Sequence, residues 1–219
     1  MSEQPAAPAV VVVDAQAGNL GSVAKSLRAL GAAVTVTSEP ARVAAAPRVV
    51  FPGVGAFART AGILEQTGLD AALREAVARG APLLGICLGM QLLFEQSEEF
   101  GTSRGLGLLP GAVVRLPGTV KVPHMGWNGL RHIRDHPIVA DVPPLAHAYF
   151  CHSYHAEVGD QRHLVSVADY GPVQVASVVA HERIVGTQFH PEKSQAVGLH
   201  ILKAFLAAEP AAAEGAPSP

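Results

Sequence analysis

Pro82-Leu83-Leu84-Gly85-Ile86-Cys87-Leu88-Gly89-Met90-Gln91 is a short apolar run that ends on a cysteine held between two glycines. A run of this length bounded by turn signals reads as a buried strand. The G-x-C-x-G at its end reads as a tight strand-to-helix turn, the cysteine counterpart of the G-x-S-x-G nucleophile elbow. The glycines relieve crowding in the turn, so the thiol projects from the carboxyl end of the strand. The backbone amides that follow it then face whatever carbonyl the thiol attacks.

Working outward from this strand, the same alternation of strand and helix recurs. Ala9 to Asp14 (AVVVVD) reads as a buried parallel strand, followed by a helix with Leu20, Val23, Ala24, Leu27 and Leu30 on one face and Gly31 at its end. Val34-Thr35-Val36 and Arg48 to Phe51 read as further strands, and Leu69, Ala72, Leu73, Ala76 and Val77 line the helix before Pro82. Strands alternating with helices imply βαβ units and a mostly parallel sheet, with the site outside the strands' carboxyl ends. After about residue 105 the pattern changes to strands and turns: 112–114, 147–155, 163–167, 173–179 and 184–189. These predict antiparallel strands that extend the parallel sheet or pack beside it. A final helix is expected from Ser194 as N-cap through Ile201, Leu202, Phe205 and Leu206. The fold class is therefore α/β: a parallel sheet flanked by helices, with antiparallel additions in the C-terminal half.

The chain has 219 residues, 49% of them hydrophobic, enough for one sizeable core. One domain over residues 9–209 is expected, with a disordered extension at 1–8 and a disordered tail at 210–219 (PAAAEGAPSP). Net charge is −2 and the 16 Lys and Arg are scattered, which argues against a nucleic-acid partner. The N-terminal SEQPAAPA has neither a basic start nor the apolar run of a signal peptide, and no stretch reaches the roughly 18 apolar residues of a membrane span. Cys87 and Cys151 are the two cysteines, a usage that fits a reducing compartment, and a cytoplasmic location is the expectation.

Downstream of the elbow lies Gln188-Phe189-His190-Pro191-Glu192. A free thiol has a pKa of about 8.5, which a helix N-terminus and an imidazolium lower. His190 suits the base that takes the thiol proton and returns it to a leaving amine. Glu192 suits the group that holds the imidazole in the useful tautomer. Each residue also has a plainer reading: Cys87 as a small core residue, and His190 as a hydrogen-bonding histidine at a strand end. Together, on this order of strands and helices, they point to a cysteine hydrolase.

The motifs around these residues resemble the class I (triad) glutamine amidotransferases, and more closely the glutaminase subunits of imidazole glycerol phosphate synthases in histidine biosynthesis. The resemblance runs from about Val10 to Ala208 through Pro52-Gly53-Val54-Gly55-Ala56-Phe57, Gly85 to Gln91, Pro123 to Asn128 (PHMGWN), Tyr149 to Tyr154 and Gln188 to Ser194. It implies a flavodoxin-like amidotransferase domain that hydrolyses glutamine to glutamate and ammonia, with no cofactor and no metal. It also implies a heterodimer with a (β/α)₈-barrel cyclase, which uses the ammonia to form imidazole glycerol phosphate and the carboxamide ribotide.

The same resemblance distributes roles. Cys87, His190 and Glu192 form the triad, while Gly53, Val54 and Leu88 supply the oxyanion hole. Gly55, Gln91, Glu99, Ser153 and Tyr154 surround glutamine. Asn19, Pro123, His124, Trp127, Tyr149 and Lys193 face or gate toward the cyclase. Plainer readings stand beside some of these: an ordinary Pro-Gly turn at Pro52, a solvated helix end for the run Glu95 to Glu99, and a core-edge role for Trp127, placed in a Gly- and Asn-containing turn. Lys193 beside a helix start opposes the macrodipole, so an external acidic partner explains it better than helix stability does. Two departures from the family pattern are the loop Asp14-Ala15-Gln16-Ala17-Gly18-Asn19, which lacks the usual aromatic and glycine after the aspartate, and Cys151, where a small apolar residue is common.

Three rival readings share parts of this pattern. A glutaminase serving another synthase keeps the triad but does not predict PHMGWN. A non-enzymatic redox sensor of the same fold uses an elbow cysteine but has no need of Glu192. A metal site at Cys151, His152 and His155 is weakened because alternation along one strand puts His152 on the opposite face from the other two.

Overall fold

The computed structural model describes residues 7–16 and 18–209. The tail expected at 210–219, most of the extension expected at 1–8, and Ala17 lie outside the described residues. The first half runs β1 (Ala9–Val13), α1 (Leu20–Ala29), β2 (Ala33–Thr37), α2 (Pro40–Ala44), β3 (Val49–Gly53), α3 (Phe57–Thr67), α4 (Leu69–Ala78), β4 (Leu83–Cys87) and α5 (Leu88–Gln91). The second half runs β5 (Phe94–Ser97), β6 (Ser103–Arg104), β7 (Leu109–Arg115), β8 (His124–Gly129), β9 (Arg131–His132), β10 (His147–His152), β11 (Tyr154–Val158), β12 (Leu164–Tyr170), β13 (Val173–His181), β14 (Ile184–Thr187) and α6 (Gln195–Ala207).

The main sheet has the order β2-β1-β3-β4-β14-β13-β12-β9. Its first five strands are mutually parallel, and β13, β12 and β9 extend it antiparallel. The continuous Val10 to Val13 run follows from burial on both faces. Val11 and Val13 join a core layer with Phe51, Leu69 and Leu73, beneath α2, α3 and α4. Val10 and Val12 point the other way, into a layer with Val23 and Leu27 of α1 and Ile201, Leu202 and Phe205 of α6. The α/β architecture expected from the alternating pattern is the one observed. Two smaller sheets, β11-β7-β5-β6 and β10-β8, stand apart from the large one.

Several local expectations are corrected. Residues 147–155 do not form one strand: the chain breaks at Ser153, with β10 pairing to β8 and β11 to β7 in different sheets. Alternation therefore does not carry from Cys151 to His155, and among the described residues no three His, Cys, Asp or Glu side chains group as metal ligands. Trp127 lies in strand β8 rather than in a turn. The run Glu95 to Glu99 is the end of strand β5 and the loop after it, not a helix end. The Ser194 hydroxyl does not cap α6; it donates to the His190 carbonyl (2.7 Å) and accepts from Tyr149 N–H (3.0 Å), tying the helix start to β10. No described helix is long and apolar enough to cross a membrane.

Candidate active site

Parallel strands β3, β4 and β14 end side by side, Gly53 pairing with Cys87 and Thr187 with Ile86. That convergence assembles the site. Cys87 takes φ 55° and ψ −110°, a left-handed conformation that L side chains rarely adopt, and the residue is only 6% exposed. The flanking glycines are required by close approach rather than by φ. A Cβ on Gly89 would sit 1.8 Å from the Phe51 carbonyl oxygen, and one on Gly85 would sit 2.7 Å from the Gly89 oxygen. The helix after the elbow is a single turn, Leu88–Gln91, so its dipole is a smaller aid to the thiolate than the sequence pattern suggested.

The imidazole is the stronger aid. His190 follows β14, and its backbone N–H donates to the Tyr149 carbonyl (3.0 Å). Its Nδ1 lies 2.9 Å from Glu192 Oε1, both side chains being almost wholly buried. A carboxylate can only accept, so Nδ1 carries the proton and Nε2 is left for the thiol. Burial works against the imidazolium, but contact with Cys87 and Glu192 outweighs it and pushes the pKa from 6.5 up to about 9. Among the described residues the second Glu192 oxygen, Oε2, is buried without a hydrogen-bond partner, and His190 is the one side chain that hydrogen-bonds this carboxylate.

These groups open on a cavity of about 370 Å³, within the usual range for small-molecule sites. Cys87, His190, Leu88, Val54 and Gly55 line it, as do Gln91, Glu99, Ser153, Tyr154, Pro123 and Lys193. Gly53 abuts the elbow behind this lining; a Cβ there would lie 3.0 Å from Gly89 N and Leu88 Cβ. Gln91 spends both amide hydrogens within the protein, on the Tyr154 carbonyl (2.8 Å) and Gln188 Oε1 (3.0 Å), so only its oxygen remains for a ligand. The Glu99 carboxylate accepts from Phe57 N–H (2.6 Å) at the start of α3, a capping contact in addition to its place on the wall.

Of the residues with expected outward roles, Pro123 and Lys193 are on the cavity lining, whereas Asn19, His124, Trp127 and Tyr149 lie off it. Asn19 caps α1, its side-chain oxygen accepting from Ser22 N–H (3.4 Å). Trp127 is 48% exposed, its ring 6.0 Å from that of Tyr149. Lys193 closes a 3₁₀ turn, Pro191–Lys193, and sets Nζ 5.7 Å from the Tyr149 ring centroid, an internal partner for the charge. His124 is buried behind the wall, 3.0 Å from His152.

The sequence offered no role for Gln188, and named His152 only as a ligand in the rival metal reading. Gln188 Nε2 donates to the Cys87 sulfur (3.8 Å), and His152 lines the cavity. A signal for Gln188 existed: two residues before His190 at a strand end, it falls on the same side of the chain. His152 had none, because its place depends on the break at Ser153.

A thiol on a strained elbow, beside an imidazole oriented by a buried carboxylate, suits acyl transfer from a small amide or ester. The chain matches the glutamine amidotransferase class-I family over residues 11–208. It is 47% identical over 196 residues to the imidazole glycerol phosphate synthase subunit HisH of Moorella thermoacetica, covering 90% of this chain and 93% of that protein. To HisH of Dehalococcoides mccartyi it is 45% identical over 197 residues, covering 90% and 96%. The PurLQS structure from Thermotoga maritima superposes with a TM-score of 0.73 at 18% identity, over 91% of this chain and 98% of that one. A glutamine amidotransferase crystal structure gives 0.70 at 18% identity, over 90% of this chain and 97% of that one; both likenesses speak to the fold alone. By the extent of these matches, the chain belongs to the class I glutamine amidotransferase family.

Proposed function

We propose that this chain is the glutaminase subunit of an imidazole glycerol phosphate synthase, with Cys87, His190 and Glu192 as its triad. The observation that carries the chemistry is the buried His190–Glu192 pair (2.9 Å) in contact with a strained elbow cysteine. The HisH relatives support the choice of synthase.

Glutamine enters the cavity, and the Cys87 sulfur attacks its side-chain amide carbon. The oxygen of that amide gains negative charge where the Leu88 amide and the Gly53-Val54 segment meet the elbow. His190 holds the proton taken from the thiol and passes it to the departing nitrogen, releasing ammonia and leaving a γ-glutamyl thioester. Water, activated by the same imidazole, cleaves the thioester to glutamate and restores the thiol. Glu192 keeps Nε2 facing the reaction throughout.

Ammonia released into bulk water at neutral pH is largely protonated and no longer a nucleophile. Its productive fate is capture by a second subunit through a shielded path, and a (β/α)₈-barrel cyclase is the partner we assign. The exposed Trp127, with Tyr149 and Lys193, is the surface we assign to it. The test is glutamate release from glutamine with and without a barrel cyclase carrying its ribulosyl phosphate substrate. Strong stimulation by that pair is expected. Equal rates in its presence and absence, or stimulation by the synthase of another pathway alone, would overturn the assignment.

A further inference from the structure

His152 lines the cavity and meets His124 edge-on, ring centroids 4.9 Å apart. His124, on β8, stacks on Phe150 (4.6 Å) and on Tyr170 (4.1 Å) and is 3% exposed. Hydrogen bonds connect this pair to the nucleophile. His152 Nδ1 lies 2.9 Å from the Tyr154 carbonyl oxygen, and His124 Nδ1 lies 3.0 Å from His152 Nε2. Asn128 Nδ2 lies 3.3 Å from His124 Nε2, while the Asn128 oxygen accepts from Gly129 N–H (2.8 Å). On the other side, Gln91 donates to the same Tyr154 oxygen and to Gln188, and Gln188 donates to Cys87 Sγ.

The chemistry of the groups fixes every proton along this series. A carbonyl oxygen only accepts, so His152 Nδ1 is the protonated nitrogen and Nε2 the acceptor; His124 must then donate from Nδ1 and accept from Asn128 at Nε2. Protonating either ring would set two N–H groups against each other or against the Asn128 amide, so the series closes only with both histidines neutral. Burial supports this by pushing His124 down to about 4, and burial together with the neighbouring His124 pushes His152 down to about 3. The Tyr154 oxygen is shared by His152 and Gln91 at the junction where the chain leaves one sheet for another, next to Ser153. A turned Gln91 or Gln188 amide would aim an oxygen at the Tyr154 carbonyl or at the thiolate.

We propose that His124 and His152 are positioning residues: as a neutral pair they fix the Tyr154 carbonyl, which orients the Gln91 and Gln188 amides so that an N–H is held on the Cys87 sulfur. The proposal rests on the reading of Cys87 as the nucleophile, and the experiment separates the two. The full chain is treated with iodoacetamide at pH 7, and labelling of the Cys87 and Cys151 peptides is followed separately by mass spectrometry, with thermal melting in parallel. His152→Phe and His124→Phe are expected to slow Cys87 labelling about three- to tenfold, the size of one lost hydrogen bond. His152→Asn, whose amide nitrogen can take the place of Nδ1, is expected to recover most of the wild-type rate. His124→Phe keeps an aromatic ring against Phe150 and Tyr170, so it carries the test should His152→Phe not fold. Lower melting temperatures with unchanged labelling, or His152→Asn as slow as His152→Phe, would overturn the proposal. Wild-type Cys87 labelled no faster than Cys151 and unprotected by glutamine would remove the nucleophile reading itself, and the proposal with it.

Discussion

Glu192 illustrates how one buried residue fixes chemistry and stability together. Its side chain is 1% exposed, one oxygen engages His190, and the other has no partner among the described residues. Replacing it by glutamine leaves the shape but removes the charge that holds the imidazolium, and turnover of glutamine is expected to fall about 10⁴-fold, as when the third member of a triad is neutralised. The same change has a pH signature. His190 is raised from 6.5 to about 9 in the fold, so the stability it contributes is fully present below about 6.5 and is lost as pH rises through about 9. Melting temperatures recorded from pH 6 to 10 should therefore decline on the alkaline side in wild type and decline less in Glu192→Gln. Identical profiles would show that the pair contributes nothing to folding.

The elbow is the element that most constrains the sequence. Its strain is held in place by the packing of Gly89 on the Phe51 carbonyl and of Gly85 on the following turn. Gly89→Ala should therefore cost about 3 kcal/mol or more in urea unfolding, since the obstacle is backbone of the neighbouring strand rather than a side chain that can swing aside. A loss below about 0.5 kcal/mol would contradict the packing. Elements of this kind were legible in the sequence because their signals are local: apolar runs for β1, β3 and β4, a 3.6-residue stripe for α1 and α4, and glycines flanking Cys87. What stayed hidden depends on partners distant in sequence. β8 contains Gly126, Asn128 and Gly129, which read as a turn, and becomes a strand by pairing with β10. The break at Ser153 arises because the strands on either side pair in different sheets, and with it went the place of His152. Lys193 read as an unpaired charge because the Tyr149 ring beneath it comes from β10, far away in the chain.

At the scale of the whole molecule, the sheet order puts Cys87, His190 and the exposed Trp127 toward one end. β3, β4 and β14 deliver Gly53, Cys87 and His190, while β10 passes from Tyr149 on the outside to His152 on the cavity wall. Trp127 belongs to the outer part: nearly half exposed, it adds little to the core. Trp127→Ala should change the stability of the free subunit by less than about 0.5 kcal/mol while weakening its complex with the proposed cyclase partner at least about tenfold, as read by calorimetric titration. Loss of subunit stability with unchanged affinity would make the residue a cover for the core edge. Release of the glutamine nitrogen through attack by the Cys87 sulfur is the step on which the proposed activity turns. The most direct measurement is the synthase reaction of the assembled complex bearing Cys87→Ser, run once with glutamine and once with ammonium salt as the nitrogen source. Product should form from ammonia at the wild-type rate and not from glutamine. Glutamine-dependent product formation by that variant would contradict the role of Cys87 as the nucleophile.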